Sequence, residues 1–384
     1  MKSTSWIEIS KSALKQNYAF IKELTGPETL FSSVLKGNAY GHGIAVFGSL
    51  AYEIGQRHFS VFSAEEAYEL YQALEKTDIT ILIMGSVNQD QMDWVIEQGL
   101  EFFLFNDSRL DLAIQRAKKL GIKAKIHIEV ETGMNRTGFG LRTLTKLREK
   151  IESNSQHLDI KGVCTHLAGA ESIANYKRIQ DQVKRFKRVK SNIASWTDSP
   201  IQEHALCSAG LMRYPRLKLD MVRVGIIQYG YFPTQEMAVY YYTRTKTFEN
   251  PLKQVLSWKT RIMDINQIPP GEFVGYGTSF FTNTSTRIAI IPIGYSDGFA
   301  RSLSNNGKVI IRGIRLNVVG MVNMNMIAVD INDQPAAEVG DEVILIGKEG
   351  DAEISVSSFS ETSQQVNYEL LTRLPQDIDR ILID

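Results

Sequence analysis

Lys36 is the side chain whose position first suggests chemistry. It follows the apolar segment FSSVL, residues 31–35, and precedes the glycine-punctuated segment GNAYGHG, residues 37–43. Burial disfavours the charged form of a lysine and lowers its pKa, which lets the amine act as a nucleophile and a proton carrier near neutral pH. A lysine at the end of a strand is more commonly a solvated residue, so the choice between the two interpretations depends on the other strand ends.

Several other polar groups fall where predicted strands end. They are Glu129 and Glu131 after the fifth strand, His166 after the sixth, Ser208 after the seventh, Arg223 within the eighth, and the main-chain groups of Gly225 and Ile226 just beyond it. In barrels of parallel strands the chemistry lies at the carboxyl ends, and the loops after the last two strands commonly bind phosphate. An amine nucleophile, an imidazole, a fixed cation and a glycine-bearing loop together suit a phosphorylated planar cofactor.

The elements that must position these residues form a regular alternation. Short apolar segments at 30–36, 58–63, 79–85, 100–106, 124–131, 160–166, 201–208 and 221–227 are separated by longer helical patterns. The helices at 64–76 and 107–121 are predicted to begin at Ser63 and Asp107, and the second to end at Gly121. Eight such units over about 200 residues predict an α/β fold, a (β/α)₈ TIM-like barrel, with a doubly wound sheet as the alternative.

After about residue 236 the pattern changes to strands separated by turns. The predicted strands are 255–265, 273–281, 286–295, 308–322, 326–331 and 341–347, followed by a short helix near 355–366 and a closing run at 367–383. We therefore predict a barrel domain at 1–236, whose first ten or so residues pair with the other domain, and a mostly β C-terminal domain at 237–384.

Composition favours a small-molecule ligand. Lys and Arg number 43, as do Asp and Glu, so no net field attracts nucleic acid or an anionic membrane. Cys164 and Cys207 are too few for a disulfide framework, and no apolar run approaches the roughly 18 residues that span a bilayer. The N-terminal sequence resembles neither a signal peptide nor a presequence. We expect a cytoplasmic protein with no nucleic-acid or membrane partner and no metal site.

Eight segments carry a resemblance to a known family. They are VLKGNAYGHG, ETGMNRTGFG, CTHLAGAE, HALCSAGLMRYP, RVGIIQYG, VGYGTSFF, IPIGYSDGFAR and VGMVNMNM. Together they resemble the alanine racemases, pyridoxal-phosphate enzymes with a barrel and a β domain, in the family's order and at its approximate spacing. The resemblance runs from one end of the chain to the other.

The resemblance implies a role for each matching residue. Lys36 would bind pyridoxal 5'-phosphate covalently and exchange the Cα proton on the face of the D-enantiomer, while Tyr276 would serve the opposite face. Arg136 would assist Tyr276, because a guanidinium favours the phenolate, and would also meet the substrate carboxylate. The Met324 main-chain N–H would bind that carboxylate, and Tyr295 would lie at the substrate entrance.

Other matching residues would hold the cofactor. Arg223 would donate a hydrogen bond to the pyridine nitrogen, because an arginine keeps its proton in a protein, and His204 would hold Arg223 in place. His166 would lie against the ring, although a buried structural histidine is the alternative for both histidines. The phosphate would be bound by Tyr40, Ser208, Gly225 and Ile226.

The sequence departs from the family pattern at four positions. Glu129 stands where many members carry a carbamylated lysine, and we expect its carboxylate to supply the same negative charge near Arg136. Asn325 replaces an aspartate, Gln376 falls where a phosphate-binding tyrosine is common, and Cys207 replaces an asparagine. These departures bear on cofactor affinity and substrate range more than on reaction type.

The resemblance also implies a head-to-tail homodimer with shared active sites, and D-alanine for peptidoglycan as the product. Four alternatives remain open. They are a racemase of a broader or different amino acid range such as serine or lysine, a related pyridoxal-phosphate decarboxylase, a non-catalytic homologue, and a barrel that binds another phosphate ligand.

Overall fold

A computed structural model describes residues 4–75, 78–356 and 367–384. The chain forms two compact units. We call residues 13–36 and 48–253 the barrel unit, and the described residues among 1–12, 37–47 and 254–384 the β unit. Strand β1 (Ser5–Ser10) and helix α1 (Lys11–Thr25) come first in the chain. No helix within the described ranges is long and apolar enough to cross a membrane.

The barrel unit contains a closed barrel of eight parallel strands. The strands are β2 (Leu30–Val34), β3 (His58–Val61), β4 (Thr80–Ile83), β5 (Glu101–Leu104), β6 (Ala124–Glu129), β7 (Leu158–Cys164), β8 (Gln202–Cys207) and β9 (Met221–Val224). Strand β9 pairs with β2 from Leu30↔Met221 onward and so closes the ring. The predicted TIM-like barrel is thereby confirmed, and the doubly wound alternative is wrong.

Helices follow the strands. They are α2 (Ile44–Glu53), α3 (Ala64–Leu74), α4 (Met92–Glu97), α5 (Asp107–Leu120), α6 (Leu144–Glu152), α7 (Tyr176–Ala194), α8 (Ser208–Arg213) and α9 (Gln235–Thr245). The Ser63 side chain accepts from the Glu66 N–H, as predicted, and Gly121 ends α5 in the left-handed conformation. The predicted Asp107 cap is wrong, because Asn106 caps α5 by accepting from the Arg109 N–H at 2.9 Å.

The β unit is built on one ten-stranded sheet. Its remaining strands are β10 (Leu256–Arg261), β11 (Asp264–Ile268), β12 (Thr286–Ile291), β13 (Lys308–Ile311), β14 (Ile314–Val319), β15 (Ile327–Asp330), β16 (Glu342–Glu349), β17 (Ala352–Ile354) and β18 (Asp379–Ile383), with helix α10 (Asn367–Thr372). Strand β1 lies between β10 and β18, antiparallel to the first and parallel to the second. The mostly β C-terminal region of the fold prediction is thus confirmed.

Several strand predictions in this region are wrong in detail. Residues 273–281 form a loop with a single bridge between Phe273 and Phe281, because Gly275 and Gly277 adopt positive φ on either side of Tyr276. Residues 255–265 divide into β10 and the start of β11, and residues 308–322 form the hairpin β13–β14. Strands β17 and β18 were not predicted as strands.

The predicted domain boundary and the predicted helix near 355–366 both remain predictions. The predicted domain change at residues 236 and 237 falls within α9 (Gln235–Thr245) and remains a prediction. The predicted helix near 355–366 falls mainly on residues 357–366, which lie outside the described residues.

Candidate active site

Lys36 lies two residues beyond the end of β2, at the carboxyl end of the barrel. The Leu35 N–H donates to the Ser60 carbonyl at 2.8 Å, which holds the chain against β3 up to the residue before Lys36. Desolvation by the surrounding protein lowers the pKa of Lys36, and the positive charge of Arg136 lowers it further. The Lys36 amine therefore carries its proton less tightly than an ordinary lysine.

The backbone after Lys36 takes an unusual path. Gly37, Asn38, Ala39 and Tyr40 all have positive φ, between 51° and 64°, so they form one turn of left-handed helix. Each non-glycine residue in this conformation costs roughly 1–2 kcal/mol. Such strain is concentrated at functional sites in proteins, where the surrounding structure maintains it.

Arg223 is fixed inside the barrel from two sides. Its Nη1 contacts Nδ1 of His204, and its Nη2 donates to the Thr165 carbonyl at 2.9 Å. The guanidinium also lies 5.7 Å from the centre of the Phe103 ring. Because Arg223 is only 5% exposed, these contacts hold a buried cation in a single orientation.

His166 is held neutral close to several cations. Burial lowers its pKa to about 3, and the charges of Arg223, Arg136 and Lys36 act in the same direction. The Gln182 side chain on α7 holds the loop that carries His166, because its Nε2 donates to the His166 carbonyl at 2.9 Å and its Oε1 accepts from the Ala168 N–H at 2.8 Å. The imidazole is thus available for packing without adding positive charge.

Glu129, the last residue of β6, is a buried carboxylate among arginines. Burial raises its pKa, while a hydrogen bond from Thr137 and the charges of Arg223 and Arg136 oppose that effect. Burial also lowers the pKa of Arg109 to about 10, and the charge of Glu129 opposes this. Nε and Nη2 of Arg109 have no hydrogen-bond partner in the described part of the chain, so Glu129 is its main electrostatic support.

Ser208 and Gly225 are tied together at the ends of the last two strands. The Gly225 N–H donates to the Ser208 hydroxyl oxygen at 3.0 Å. Because that oxygen accepts, the Ser208 O–H is able to donate elsewhere. Ile226 opens a short 3₁₀ helix, Ile226–Tyr229, and Ser208 opens α8, so main-chain N–H groups begin both elements. Cys207 precedes α8 as a free, half-buried thiol.

Arg136 belongs to the barrel unit and is exposed, whereas the predicted residues Tyr276, Tyr295, Met324 and Asn325 belong to the β unit. Tyr276 is 74% exposed and Met324 57% exposed. The Met324 carbonyl accepts from the Ser296 N–H at 3.0 Å and from its hydroxyl at 2.7 Å, and the Asn325 amide donates to the same hydroxyl at 2.7 Å. These bonds join the loop that carries Tyr295 to the loop that carries Met324 and Asn325, so the structure brings these three residues together within the β unit.

Tyr40 and Gln376 also lie in the β unit. Tyr40 is buried and ends the left-handed turn, with a φ of 52°. Gln376 is exposed, and its carbonyl accepts from Nη1 of Arg380 at 2.8 Å. Arg380 also donates to the Gly41 carbonyl at 3.0 Å, directly after that turn.

Sequence reasoning missed four buried polar residues around this site. They are Glu101, Arg109, His127 and Gln182. For His127 a signal was present, because side chains alternate along a strand and His127 therefore faces the same side of β6 as Glu129. Gln182 and Arg109 lie on helices, where nothing in the local pattern separates them from solvated polar residues.

The chain matches known proteins along its whole length. It matches the family models "Alanine racemase, N-terminal domain" at residues 9–233 and "Alanine racemase, C-terminal domain" at residues 255–382. It is 34% identical to an alanine racemase of Leptospira interrogans over 388 aligned positions, covering 100% of this chain and 97% of that protein.

Solved structures agree with this match. The structure resembles the alanine racemase of Clostridium difficile 630 with a TM-score of 0.89 at 29% identity, covering 100% of this chain and 96% of that chain. It also resembles the structure of the Bartonella henselae alanine racemase that has covalently bound pyridoxal phosphate. The TM-score is 0.83 at 29% identity, and the match covers 99% of this chain and 100% of that chain.

The barrel followed by a mostly β region, together with these matches, defines an amino acid racemase, an isomerase. The chain belongs to the alanine racemase family. That family depends on pyridoxal phosphate.

The described side chains fit such a cofactor. The lowered pKa of Lys36 suits an amine that must bind an aldehyde, and Arg223 is a fixed donor of the kind that a pyridine nitrogen accepts from. The Ser208 hydroxyl and the main-chain N–H groups beside it are donors of the kind that bind phosphate.

Proposed function

We propose that this protein interconverts L-alanine and D-alanine with pyridoxal 5'-phosphate bound to Lys36. The observation that carries the proposal is the lowered pKa of Lys36 beside Arg136, Arg223 and a neutral His166 at the mouth of the barrel. An amine in that position is a nucleophile for the cofactor aldehyde. Once the substrate has displaced Lys36 from the cofactor, the free amine is a base of suitable strength for the Cα proton. When bound, the cofactor withdraws electrons from the substrate Cα and makes its proton acidic.

The residues of the barrel unit take the following roles in this proposal. Arg223 donates to the pyridine nitrogen and leaves that nitrogen without a proton, since an arginine does not give its proton up. His166 packs against the ring as a neutral imidazole. The phosphate is bound by Ser208 and by the main-chain groups of Gly225 and Ile226. Tyr40, which belongs to the β unit, is the further phosphate donor that the family resemblance implies.

Lys36 and Tyr276 are the two proton-transfer groups of the proposal. Lys36 takes or returns the Cα proton on one face, and Tyr276 does so on the other. Arg136 supports the Tyr276 phenolate and meets the substrate carboxylate, which the Met324 N–H also binds. Tyr295 lies at the substrate entrance, where its loop is hydrogen-bonded to that of Met324.

We also propose that two copies of the chain share their active sites. The 74% exposure of Tyr276, at the tip of a loop between two glycines of positive φ, suits a side chain that serves a second copy. In a head-to-tail homodimer the β unit of one copy would supply Tyr276 and Met324 to the barrel of the other. A cytoplasmic location and a supply of D-alanine for peptidoglycan complete the proposal and rest on family membership.

The proposal is tested with the purified chain, pyridoxal phosphate and L-alanine. We expect D-alanine to form, and we expect borohydride to abolish the visible absorbance of the protein by fixing the cofactor on Lys36. Lys36→Ala should lose both properties, while Lys187→Ala, which changes an exposed lysine, should keep both. Absence of D-alanine from a protein that binds the cofactor would contradict the proposal.

Substrate range is tested in the same assay with L-serine and L-lysine. Asn325 carries no charge and is bonded to Ser296, so the site lacks the aspartate that is usual at this position. We expect alanine to be preferred. A preference for serine or lysine would show that the departures at Asn325, Gln376 and Cys207 have changed the pocket.

A further inference from the structure

A continuous chain of hydrogen-bonding side chains runs through the barrel interior behind Arg223. Nη1 of Arg223 contacts Nδ1 of His204. Nε2 of His204 lies 2.8 Å from Nδ1 of His127, and Nε2 of His127 lies 2.8 Å from a carboxylate oxygen of Glu101. We call Arg223, His204, His127 and Glu101 the barrel relay. It begins near the carboxyl ends of the strands and ends at the first residue of β5.

Only one arrangement of protons satisfies every contact in the barrel relay. The Arg223 guanidinium has donors and no acceptor, so Nδ1 of His204 must accept and Nε2 must carry the proton. That N–H then donates to Nδ1 of His127, whose own proton must be on Nε2 and donates to the Glu101 carboxylate. The two imidazoles are therefore both neutral Nε2–H tautomers, aligned between a cation and an anion.

Burial and charge agree with this arrangement. Both histidines are fully buried, and Glu101 is 9% exposed. Burial and the charge of Arg223 lower the pKa of His204 well below its usual value, which keeps the imidazole neutral. Burial alone would raise the pKa of the Glu101 carboxyl, yet the hydrogen bond from His127 opposes that effect and the pKa is lowered. The carboxylate thus stays ionised at the end of the relay.

The neighbouring strand is shaped around His127. A Cβ at Gly162 of β7 would lie 2.2 Å from Nδ1 of His127, so only glycine leaves room for the ring. Phe103 lies beside both imidazoles, with its ring centre 5.9 Å from that of His204 and 6.4 Å from that of His127. These contacts shield the relay from water, which strengthens its hydrogen bonds.

We propose that Glu101 and His127 are positioning residues for Arg223, because they fix the proton arrangement that makes His204 an acceptor toward it. The inference rests on the proposed function, in which Arg223 faces the cofactor ring. A loss of Glu101 would permit His127 and His204 to exchange tautomers. The Nδ1–H form of His204 would then repel the Arg223 donor, and Arg223 would lose its orientation.

The barrel relay is tested first in the unmodified protein. The full chain, labelled with ¹⁵N at its six histidines, is studied by NMR with and without pyridoxal phosphate. We expect His127 and His204 to be neutral Nε2–H tautomers in both states. A protonated Nδ1 on either ring, while the protein still racemises alanine, would overturn the relay and leave the proposed function standing.

Glu101→Gln is the matching variant, since it removes the charge and keeps the size. We expect mixed tautomers at His127 and His204, an altered visible absorbance of the bound cofactor, and kcat for alanine reduced about tenfold with KM changed less than twofold. That fold-change corresponds to about 1.4 kcal/mol. The control is Glu203→Gln, which alters a carboxylate of β8 that pairs with Lys190 outside the relay.

The two measurements separate the possible failures. Unchanged histidine signals and absorbance in Glu101→Gln would overturn the proposal, and so would equal changes in the Glu203→Gln control. If Glu101→Gln does not fold, the histidine tautomers of the unmodified protein still show whether the proposed proton arrangement of the barrel relay exists. Nε2–H tautomers in a protein without racemase activity would overturn the catalytic purpose of the relay together with the proposed function.

Discussion

Lys36 shows how neighbouring charges set the chemistry of a single residue. Its pKa is lowered first by desolvation and then by the positive charge of Arg136. The neutral amine is the form that reacts with an aldehyde. Covalent binding of pyridoxal phosphate should therefore accelerate as pH rises, with a midpoint below the 10.5 of an ordinary lysine.

Arg136→Gln should move that midpoint to higher pH. The substitution removes a positive charge that disfavours protonation of Lys36, so the amine would hold its proton more tightly. The measurement is the rate of visible absorbance change after mixing the cofactor-free protein with pyridoxal phosphate across pH. Arg142→Gln, which alters an exposed arginine, should leave the midpoint in place. A fall in the midpoint of Arg136→Gln would contradict the electrostatic account.

Glu129→Gln should lower both stability and turnover. The carboxylate is 5% exposed and interacts with Arg109, Arg136 and Arg223, so its loss leaves buried positive charge uncompensated. The buried Arg109 guanidinium, already short of hydrogen-bond partners, loses its opposing charge, and a buried polar group left without compensation costs about 1–3 kcal/mol. Urea unfolding and racemisation assays measure the two effects. Glu149→Gln, at an exposed site on α6, is the control, and unchanged kinetics in Glu129→Gln would show that this carboxylate does not hold Arg136.

At the scale of elements, Gln182 links α7 to the loop that carries His166. Its amide bonds to the His166 carbonyl and the Ala168 N–H, and also approaches the Thr132 hydroxyl at 3.3 Å. Gln182→Leu would leave these buried groups unpaired, at about 1–3 kcal/mol each. We expect lower stability in urea and a raised KM for alanine. Gln180→Leu, two residues away on a more exposed face, should change neither, and equal effects would mean that Gln182 acts only through general packing.

The turn after Lys36 depends on Gly41. Its φ is +80°, and a Cβ there would lie 1.9 Å from the Leu371 carbonyl oxygen. Gly55 has a comparable φ of +98° with no atom near its missing Cβ. Gly55→Ala should therefore cost only the conformational strain of about 1–2 kcal/mol, whereas Gly41→Ala adds a backbone clash. Thermal unfolding measures the stability of both variants. Equal losses of stability in Gly41→Ala and Gly55→Ala would show that the backbone clash at Gly41 is relieved without cost.

The elements also show which features could be predicted from the sequence. Barrel strands and helices were predicted because apolar periodicity and caps are local signals, as at Ser63 and Gly121. The aromatic residues of 273–281 have high β propensity and therefore predict a strand. Two glycines of positive φ prevent a regular strand there, and the segment forms a loop. The left-handed turn at 37–40 had no sequence signal beyond its glycines, since long-range contacts such as Arg380 to Gly41 support it.

In the candidate site too, features that depend on local sequence patterns could be predicted, and features that depend on long-range contacts could not. Lys36, Glu129, Arg223 and Ser208 could be placed at strand ends from the alternation of elements alone. The barrel relay could not, because the contact between His127 and His204 joins residues that are 77 positions apart. Such partners depend on the closure and register of the barrel rather than on any local pattern.

At the scale of the whole molecule, the proposed sharing of sites makes a specific prediction for mixed dimers. Lys36→Ala mixed with Tyr276→Ala should regain one intact site per heterodimer after subunit exchange. Unmodified protein mixed with the Lys36→Ala and Tyr276→Ala double variant should form heterodimers with no intact site. Racemase activity after exchange measures both. If each site used one chain only, the first mixture would stay inactive and the second heterodimer would keep one active site.

Proton transfer at Cα tests the central claim most directly. L-alanine is incubated in deuterium oxide with the protein, with Tyr276→Phe and with Lys36→Ala, each supplied with pyridoxal phosphate, and the first turnovers are analysed by mass. The two-residue account predicts that D-alanine carries solvent deuterium at Cα, that the remaining L-alanine is largely unlabelled, and that both variants stop racemisation. Formation of D-alanine that keeps the substrate proton, or undiminished racemisation by Tyr276→Phe, would contradict it.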